Sequence, residues 1–421
     1  VNPSLESIRA LCSELGDPQS RFASIQITGT NGKTSTARFT EALLRAQGLK
    51  TGLYTSPELQ RYPERIEIGG KVVSDDDFAL AVGVAVEAAH ALLGEQGATE
   101  FELLTLAALW LFAEKGVEVA VLEVGMGGRW DATSVVNAKV AVVTGVGLDH
   151  TRVLGDTTEQ IAAEKAAIIK RGSVAVLGPG TEGLERLFLA QAARVGAPLV
   201  AVRERGASSP ADEDRTVRYT LEDTPASPGG ITTVAVHTPH GIYPALSVVG
   251  PAYQAPNVAT ALAAAEAYIG GALDPAAAAS ALRASRAPGR FELVGERPPV
   301  VIDAAHNPQG AAALADAIAA AWPDPQVRPA LLLGVLSDKD AAGIVTALAP
   351  VVGAIAVTAS SSPRAIAPDA LALIVEEVTG VAPQVFATVA EGTKAMVAAH
   401  PEGLVVSGSI TVAGEARSSI A

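Results

Sequence analysis

The chain has 421 residues, more than a single hydrophobic core usually serves, and its 49% hydrophobic and 18% charged residues exclude a mostly disordered polymer. A formal net charge of -14 excludes the basic face of a nucleic-acid binder, so no nucleic-acid partner is expected, and an anionic substrate must be held by local Lys, Arg, a cation or helix N-termini. The one cysteine, Cys12, cannot form an internal disulfide and no zinc-spaced Cys–His cluster exists, which points to the cytoplasm; apolar runs break before the ~18 residues of a bilayer span, so no membrane association is expected.

In chain order, strand-like and helical runs alternate: 23–28 then 35–47, 118–123, 140–144 then 157–170, and 174–177 then 182–193. That rhythm predicts a mostly parallel sheet flanked by helices, with ligands at the carboxyl ends of the strands. A polar segment, 208–214, reads as a mobile loop. It leads into three strand-like runs, 217–221, 231–237 and 243–249, joined by Pro/Gly turns without a helix, which reads as a small antiparallel patch. An Ala-rich helix begins near Asn257, and Arg286-Ala287-Pro288-Gly289-Arg290 reads as a linker. A second series follows, with strands at 300–303, 330–334, 354–358 and 404–407 and helices at 308–321, 341–348 and 369–377. The expectation is an α/β protein of two domains, 1–288 and 289–421, with a cleft between them as a favoured ligand site.

The segment Ile25-Gln26-Ile27-Thr28-Gly29-Thr30-Asn31-Gly32-Lys33-Thr34-Ser35 is a strand, a tight glycine turn, a lysine with two hydroxyls, and the start of a helix. Turn N–H groups can face phosphate oxygens, Lys33 adds charge, and Thr34 and Ser35 can reach phosphate or Mg2+. Two residues, not four, separate the glycines, so this is a variant of the common phosphate loop. A second segment, Val121-Leu122-Glu123-Val124-Gly125-Met126-Gly127-Gly128-Arg129-Trp130-Asp131, puts one carboxylate at a strand end and another after a glycine-rich turn. Two carboxylates near a nucleotide suit a hard, oxygen-seeking cation.

Gly-Thr-Asn-Gly-Lys is similar to the loop of the Mur ligases and the folylpolyglutamate synthases, and the second segment resembles a signature of the latter. The resemblance extends over essentially the whole chain. It includes Thr55-Ser56-Pro57, Glu64-Arg65-Ile66, Leu148-Asp149-His150, Glu164-Lys165-Ala166, Gln254 with Asn257, Pro288-Gly289-Arg290-Phe291-Glu292, Asp303-Ala304-Ala305-His306-Asn307-Pro308, Ser337-Asp338-Lys339-Asp340, and Gly408-Ser409-Ile410 through Arg417. Glu58 stands where the family usually has His, and Thr411 where Tyr is common.

The resemblance implies a P-loop ATPase-like N-terminal domain and a smaller Rossmann-like C-terminal domain of glutamate ligase type. It implies that Ser56, Glu123 and His150 hold Mg2+, and that Lys165, carbamylated, is a ligand of a second Mg2+, although a solvated helix lysine, as Lys170 is read, is the plain alternative. Gly29, Thr30, Asn31, Gly32, Lys33, Thr34, Ser35, Asn257, Arg290 and Asp303 would bind ATP, with His306 contacting nucleotide or transition state. Asp131 has two readings, ordering the metal's water shell or a folate carboxylate, or capping a turn.

The implied reaction is ATP-dependent ligation of L-glutamate to a folate carboxylate through an acyl phosphate, by a monomer; joining dihydropteroate to glutamate is a second activity that the resemblance admits. A Mur-type ligase acting on a UDP-sugar peptide is one rival. Those enzymes carry a nucleotide-sugar domain before the loop, and only 28 residues precede Gly29 here, so none is expected. The other rival is a nucleotide-binding switch that hydrolyses ATP without ligating.

Overall fold

The computed structural model describes residues 4–94 and 97–420. The chain divides into two compact units, one comprising Val1–Thr220, Val234–Leu246 and Ala255–Ser285, the other Leu221–Thr233, Ser247–Gln254 and Arg286–Ala421. Both are α/β, and no described helix is long and apolar enough to cross a membrane.

Eleven strands form the larger sheet: β1 (Ala23–Thr28), β2 (Thr51–Tyr54), β3 (Ile66–Ile68), β4 (Lys71–Val72), β5 (Val119–Glu123), β6 (Val140–Gly145), β7 (Val174–Gly180), β8 (Leu199–Glu204), β9 (Thr216–Asp223), β10 (Ile231–His237) and β11 (Ile242–Val249). Their spatial order is β11-β10-β9-β8-β7-β6-β1-β5-β2-β3-β4. From β9 across to β2 the pairings are parallel. β5 and β6 are buried along their whole length, because helices cover both faces of the sheet.

On one face the helices Glu6–Glu14, Asp75–Leu93 and Glu100–Glu114 bury Ile8, Leu11, Leu109 and Phe112 against Leu122. On the other, Thr158–Ala166 and Glu185–Val195 bury Ile161 and Phe188 against Val143 and Leu177. The sequence reading passed over β2, the β3–β4 hairpin and two long helices. Glu100–Glu114 has nine buried residues, so it lacks the polar face from which a helix is recognised, although Thr99 and Glu102 cap it reciprocally. One expected helix, 157–170, is shorter, ending at Ala166.

The antiparallel patch lies at the sheet's edge as β9, β10 and β11. In the second unit a six-stranded sheet runs β12 (Glu292–Glu296), β13 (Pro299–Ile302), β17 (Leu404–Ser407), β14 (Ala330–Leu333), β15 (Ala354–Val357), β16 (Gln384–Val385). Only β12 and β13 pair antiparallel. Leu314 and Ile318 of the helix Pro308–Ala321 pack with Leu331, Ile344 and Val405 in its core.

Candidate active site

Parallel register brings four chain segments to one edge of the larger sheet. Ile27 of β1 pairs with Glu123 of β5, Thr28 with Val143 of β6, and Tyr54 of β2 with Leu122. The phosphate loop, the glycine-rich turn after Glu123, Thr55-Ser56 and the segment reaching His150 therefore all leave the carboxyl ends of neighbouring strands.

The loop from Gly29 to Gly32 is locked by its surroundings. Thr144 Oγ1 donates to Asn31 O (2.6 Å), Gly147 N donates to Thr30 Oγ1 (2.9 Å), and Thr28 Oγ1 donates to Gly127 O (2.6 Å). Gly32 has φ +82°, and a Cβ there would stand 2.5 Å from Asn257 Oδ1, so glycine is required and Asn257 lies against the loop. Lys33 opens the helix Lys33–Ala46, and its ammonium donates to Gly29 O (3.0 Å) and Thr30 O (3.1 Å). Ser35 is buried just inside that helix.

Glu123 is buried at 1% exposure, and its carboxylate gathers the loop and the β2 end. Thr34 Oγ1 donates to Oε1 (2.9 Å) and Ser56 N to Oε2 (3.2 Å). Ser56 Oγ is buried with no hydrogen-bond partner. Among the described residues no three His, Cys, Asp or Glu side chains gather as a metal cluster, and the protein oxygens at this corner are the Glu123 carboxylate and the Ser56 hydroxyl, donors that suit Mg2+.

Asp131 is buried and accepts from Met126 N (3.0 Å), Thr133 N (3.0 Å) and Thr133 Oγ1 (2.5 Å). These are the contacts of a turn cap. Burial raises its carboxyl pKa above the ordinary range despite these donors.

Gly128 comes so close to the helix Thr158–Ala166 that a Cβ would meet Glu164 O at 2.9 Å, and Arg129 Nε donates to Glu164 Oε1 (2.8 Å). That packing buries Lys165, whose ammonium pKa falls to about 7, first through desolvation and then through the charge of Lys33, with Asp149 and Asp131 opposing. His150 has φ +51° and its N donates to Asp149 Oδ1 (2.8 Å), with Nε2 3.9 Å from Asp149 Oδ2. Lys170 corrects the sequence reading: it is not a solvated helix lysine but lies beyond the helix end, donating to Ser134 O (2.6 Å) and Val136 O (2.8 Å) beside the Asp131 turn.

In the second unit Asp303 is saturated. Phe291 N (2.7 Å) and Tyr253 Oη (2.9 Å) donate to Oδ2, and Ala305 N (2.8 Å) to Oδ1. Burial raises its pKa, with Arg290 the main opposing influence. Phe291 holds φ +50°, and Arg290 Nη1 donates to Gly289 O (3.0 Å). His306 Nδ1 lies 2.9 Å from Ala304 O, and Asn307 caps the following helix through Gly310 N (2.8 Å). Tyr253 was missed by the sequence reading; its signal was its place directly before Gln254 of the Gln-x-x-Asn motif.

Glu58, the departure from the family pattern, forms a close ion pair with Arg65, which also lies 5.4 Å from the Tyr62 ring centroid.

The Mur ligase middle domain matches residues 27–265 and the Mur ligase glutamate ligase domain matches 289–410. The chain is 38% identical to a Mycobacterium tuberculosis dihydrofolate synthase/folylpolyglutamate synthase, covering 99% of this chain and 90% of the relative. Among solved structures, the Mycobacterium tuberculosis folylpolyglutamate synthase complexed with ADP and AMPPCP superposes with a TM-score of 0.89 at 37% identity, covering 99% of this chain and 95% of that one. A bifunctional folylpolyglutamate synthase/dihydrofolate synthase from Yersinia pestis, complexed with AMPPNP and Mn ion, gives 0.81 at 31% identity over 98% and 92%. The phosphate loop, the glycine turn behind Glu123 and these matches agree: the chain belongs to the folylpolyglutamate synthase/dihydrofolate synthase family of the Mur ligase superfamily.

Proposed function

We propose that the protein is an ATP-dependent ligase that adds L-glutamate to the γ-carboxylate of a folate, giving ADP and phosphate. The observation that carries this reading is the corner where Thr34 and Ser56 N converge on Glu123 beside the phosphate loop, with the Ser56 hydroxyl buried and unpartnered. ATP would lie along Gly29–Ser35 with Asn257, and Arg290, Asp303 and His306 complete the proposed nucleotide set, Asp303 acting through the order it imposes on the Phe291 turn. Ser56 and Glu123 would hold a divalent cation, with His150 as a further ligand. A bound dication supplies charge neutralisation at the nucleotide phosphates.

A carboxylate and an amine do not condense usefully in water, because the leaving group would be oxide. The folate carboxylate therefore attacks the γ-phosphorus, the bond to the bridging oxygen breaks and ADP leaves. Lys33 stabilises the charge that develops on the transferred group. The α-amine of glutamate then attacks the acyl carbon of the acyl phosphate, loses a proton and expels phosphate. Asp131 orders the glycine turn beneath this corner.

A lysine with a pKa of about 7 is substantially neutral at physiological pH, and the neutral amine is the form that combines with CO2. We assign Lys165 as a carbamate, releasing one proton on forming and presenting oxygens to a second Mg2+. The same reading gives residues 1–288 to the ATP-binding ligase half and 289–421 to the glutamate ligase half, in a cytoplasmic monomer acting without nucleic acid or membrane.

The test is glutamate-dependent ADP release by purified protein. Turnover with tetrahydrofolate is expected; release that ignores both folate and glutamate would replace this reading with a hydrolytic switch, and release only with a UDP-muramoyl acceptor with a Mur-type ligase. A second activity, joining dihydropteroate to glutamate, is favoured by the 38% identity, over nearly the whole length, to a relative bearing both names, and turnover with dihydropteroate tests it.

A further inference from the structure

The carboxyl edge of the larger sheet carries a second group of cations. β8 ends at Glu204 and turns through Arg205, Gly206 and Ala207; Arg205 N donates to Tyr219 O (2.8 Å) and Ala207 N to Glu204 O (3.1 Å), holding the turn against β9. Gly206 has φ +91°, and no atom lies within 4 Å of the place a Cβ would take, so the turn opens onto free space. With Arg218 and Thr220 of β9 and His237 at the end of β10, this turn lines a cavity of about 300 Å³.

Arg218 is braced by Ala207 O and by Glu213, whose side chain is 75% exposed and outside the lining. Among the described residues, the Arg205 guanidinium and the His237 ring make no hydrogen bond or ion pair. No acidic side chain lines the cavity, although the chain's net charge is -14. Arg218 is paired with Glu213, whereas among the described residues the positive charge of Arg205 has no acidic partner, so an anion in the cavity would supply one.

We propose that this cavity is a binding site for a small oxyanion, the phosphate or carboxylate group of a small molecule. Forked guanidinium donors match either group, the Thr220 hydroxyl adds a donor, and the volume is at the lower end of small-ligand pockets. β6 and β7 stand between β1 and β8, which sets the cavity three to four strand spacings, roughly 14–19 Å, from the phosphate loop. It is a separate site and does not depend on the ligase reading.

The experiment is calorimetric titration of the full chain, its phosphate loop first saturated with Mg-ADP, with inorganic phosphate in one arm and γ-glutamylglutamate in the other. Saturable binding in one arm identifies which group the site takes, and R205E at the exposed turn should weaken it at least tenfold, with R218Q acting likewise. R186E, an equal charge change on an exposed helix residue, should leave it unchanged. Absence of saturable binding in both arms, or equal weakening by R205E and R186E, overturns the proposal.

Discussion

Glu123 and Asp303 are both buried carboxylates, one behind the phosphate loop and one at the end of β13, yet their neighbours differ. Asp303 accepts from two backbone N–H groups and a phenol, so its oxygens are spent on holding the Phe291 and Ala305 turns in place. Glu123 gathers Thr34 and Ser56 N beside a hydroxyl, Ser56 Oγ, that no protein group satisfies. A buried polar atom without a partner is costly, and beside a phosphate loop a ligand can supply that partner. Asp131 belongs with Asp303: its donors are the turn it caps. Burial alone therefore does not distinguish these carboxylates; the groups gathered around them do.

The sharpest break in that comparison is between activity and stability. Glu123→Gln or Lys33→Ala should lower glutamate-dependent ADP release by about 10²–10³, the usual cost of losing a charge-stabilising group. Thermal melting should fall only slightly for Lys33→Ala, a half-buried residue of the first helical turn that loses its bonds to Gly29 O and Thr30 O; a drop in melting temperature matching the loss of rate would reduce Lys33 to a structural residue. Asp131→Ala should behave oppositely, destabilising by about 3 kcal/mol because three donors lose their acceptor, read as a shift in the denaturation midpoint. An Asp131→Ala protein that melts like the parent would remove it from the saturated class.

Gly32→Ala forces a Cβ onto Asn257 at a positive φ, and should raise the KM for ATP about tenfold, or about 1.4 kcal/mol, while kcat changes less. Equal ATP kinetics would show that the loop can relax. Tyr253→Phe removes one of three donors to Asp303 and should cost about 1 kcal/mol of stability, the smallest of the mutational effects, with the KM for ATP rising only severalfold.

The last test uses pH. The folded Lys165 pKa is lowered from 10.5 to about 7, so between those values the unfolded chain binds more protons than the native one and the linkage slope is positive. Were Lys165 a free amine, the wild type would gain stability relative to Lys165→Met as pH rises from 7 towards 10.5, with no further change below 7, and that outcome would remove the carbamate; the assigned carbamate should instead give a pH-independent difference.

Much of the site was legible without coordinates. Ala23–Thr28, Gly29-Thr30-Asn31-Gly32-Lys33 and the Glu123 turn declare themselves, because a phosphate loop needs glycines, a lysine and flanking strand and helix at fixed spacing. Ile231–His237, Pro308–Ala321, Ala341–Leu348 and Leu404–Ser407 match the expected bounds, each bracketed by turn residues or a cap. The helix Glu100–Glu114 was not legible, because burial on nearly every side erases the periodicity on which recognition depends. Lys170 was misread for a related reason: a lysine near a helix end is usually solvated, and only the return of Ser134 and Val136 carbonyls from a distant turn captures it.

The sequence by itself determined the fold class, the phosphate loop and the family, since these depend on residue types at short spacings along the chain. Tertiary structure decided which donors each buried carboxylate gathers, that the Ser56 hydroxyl is left beside Glu123 without a partner, that Lys165 is buried beside the charge of Lys33, and that Arg205, Arg218 and His237 share a cavity. Those properties depend on donors and charges brought together from strands far apart in the chain, and parallel register and helix packing, not local spacing, set those distances.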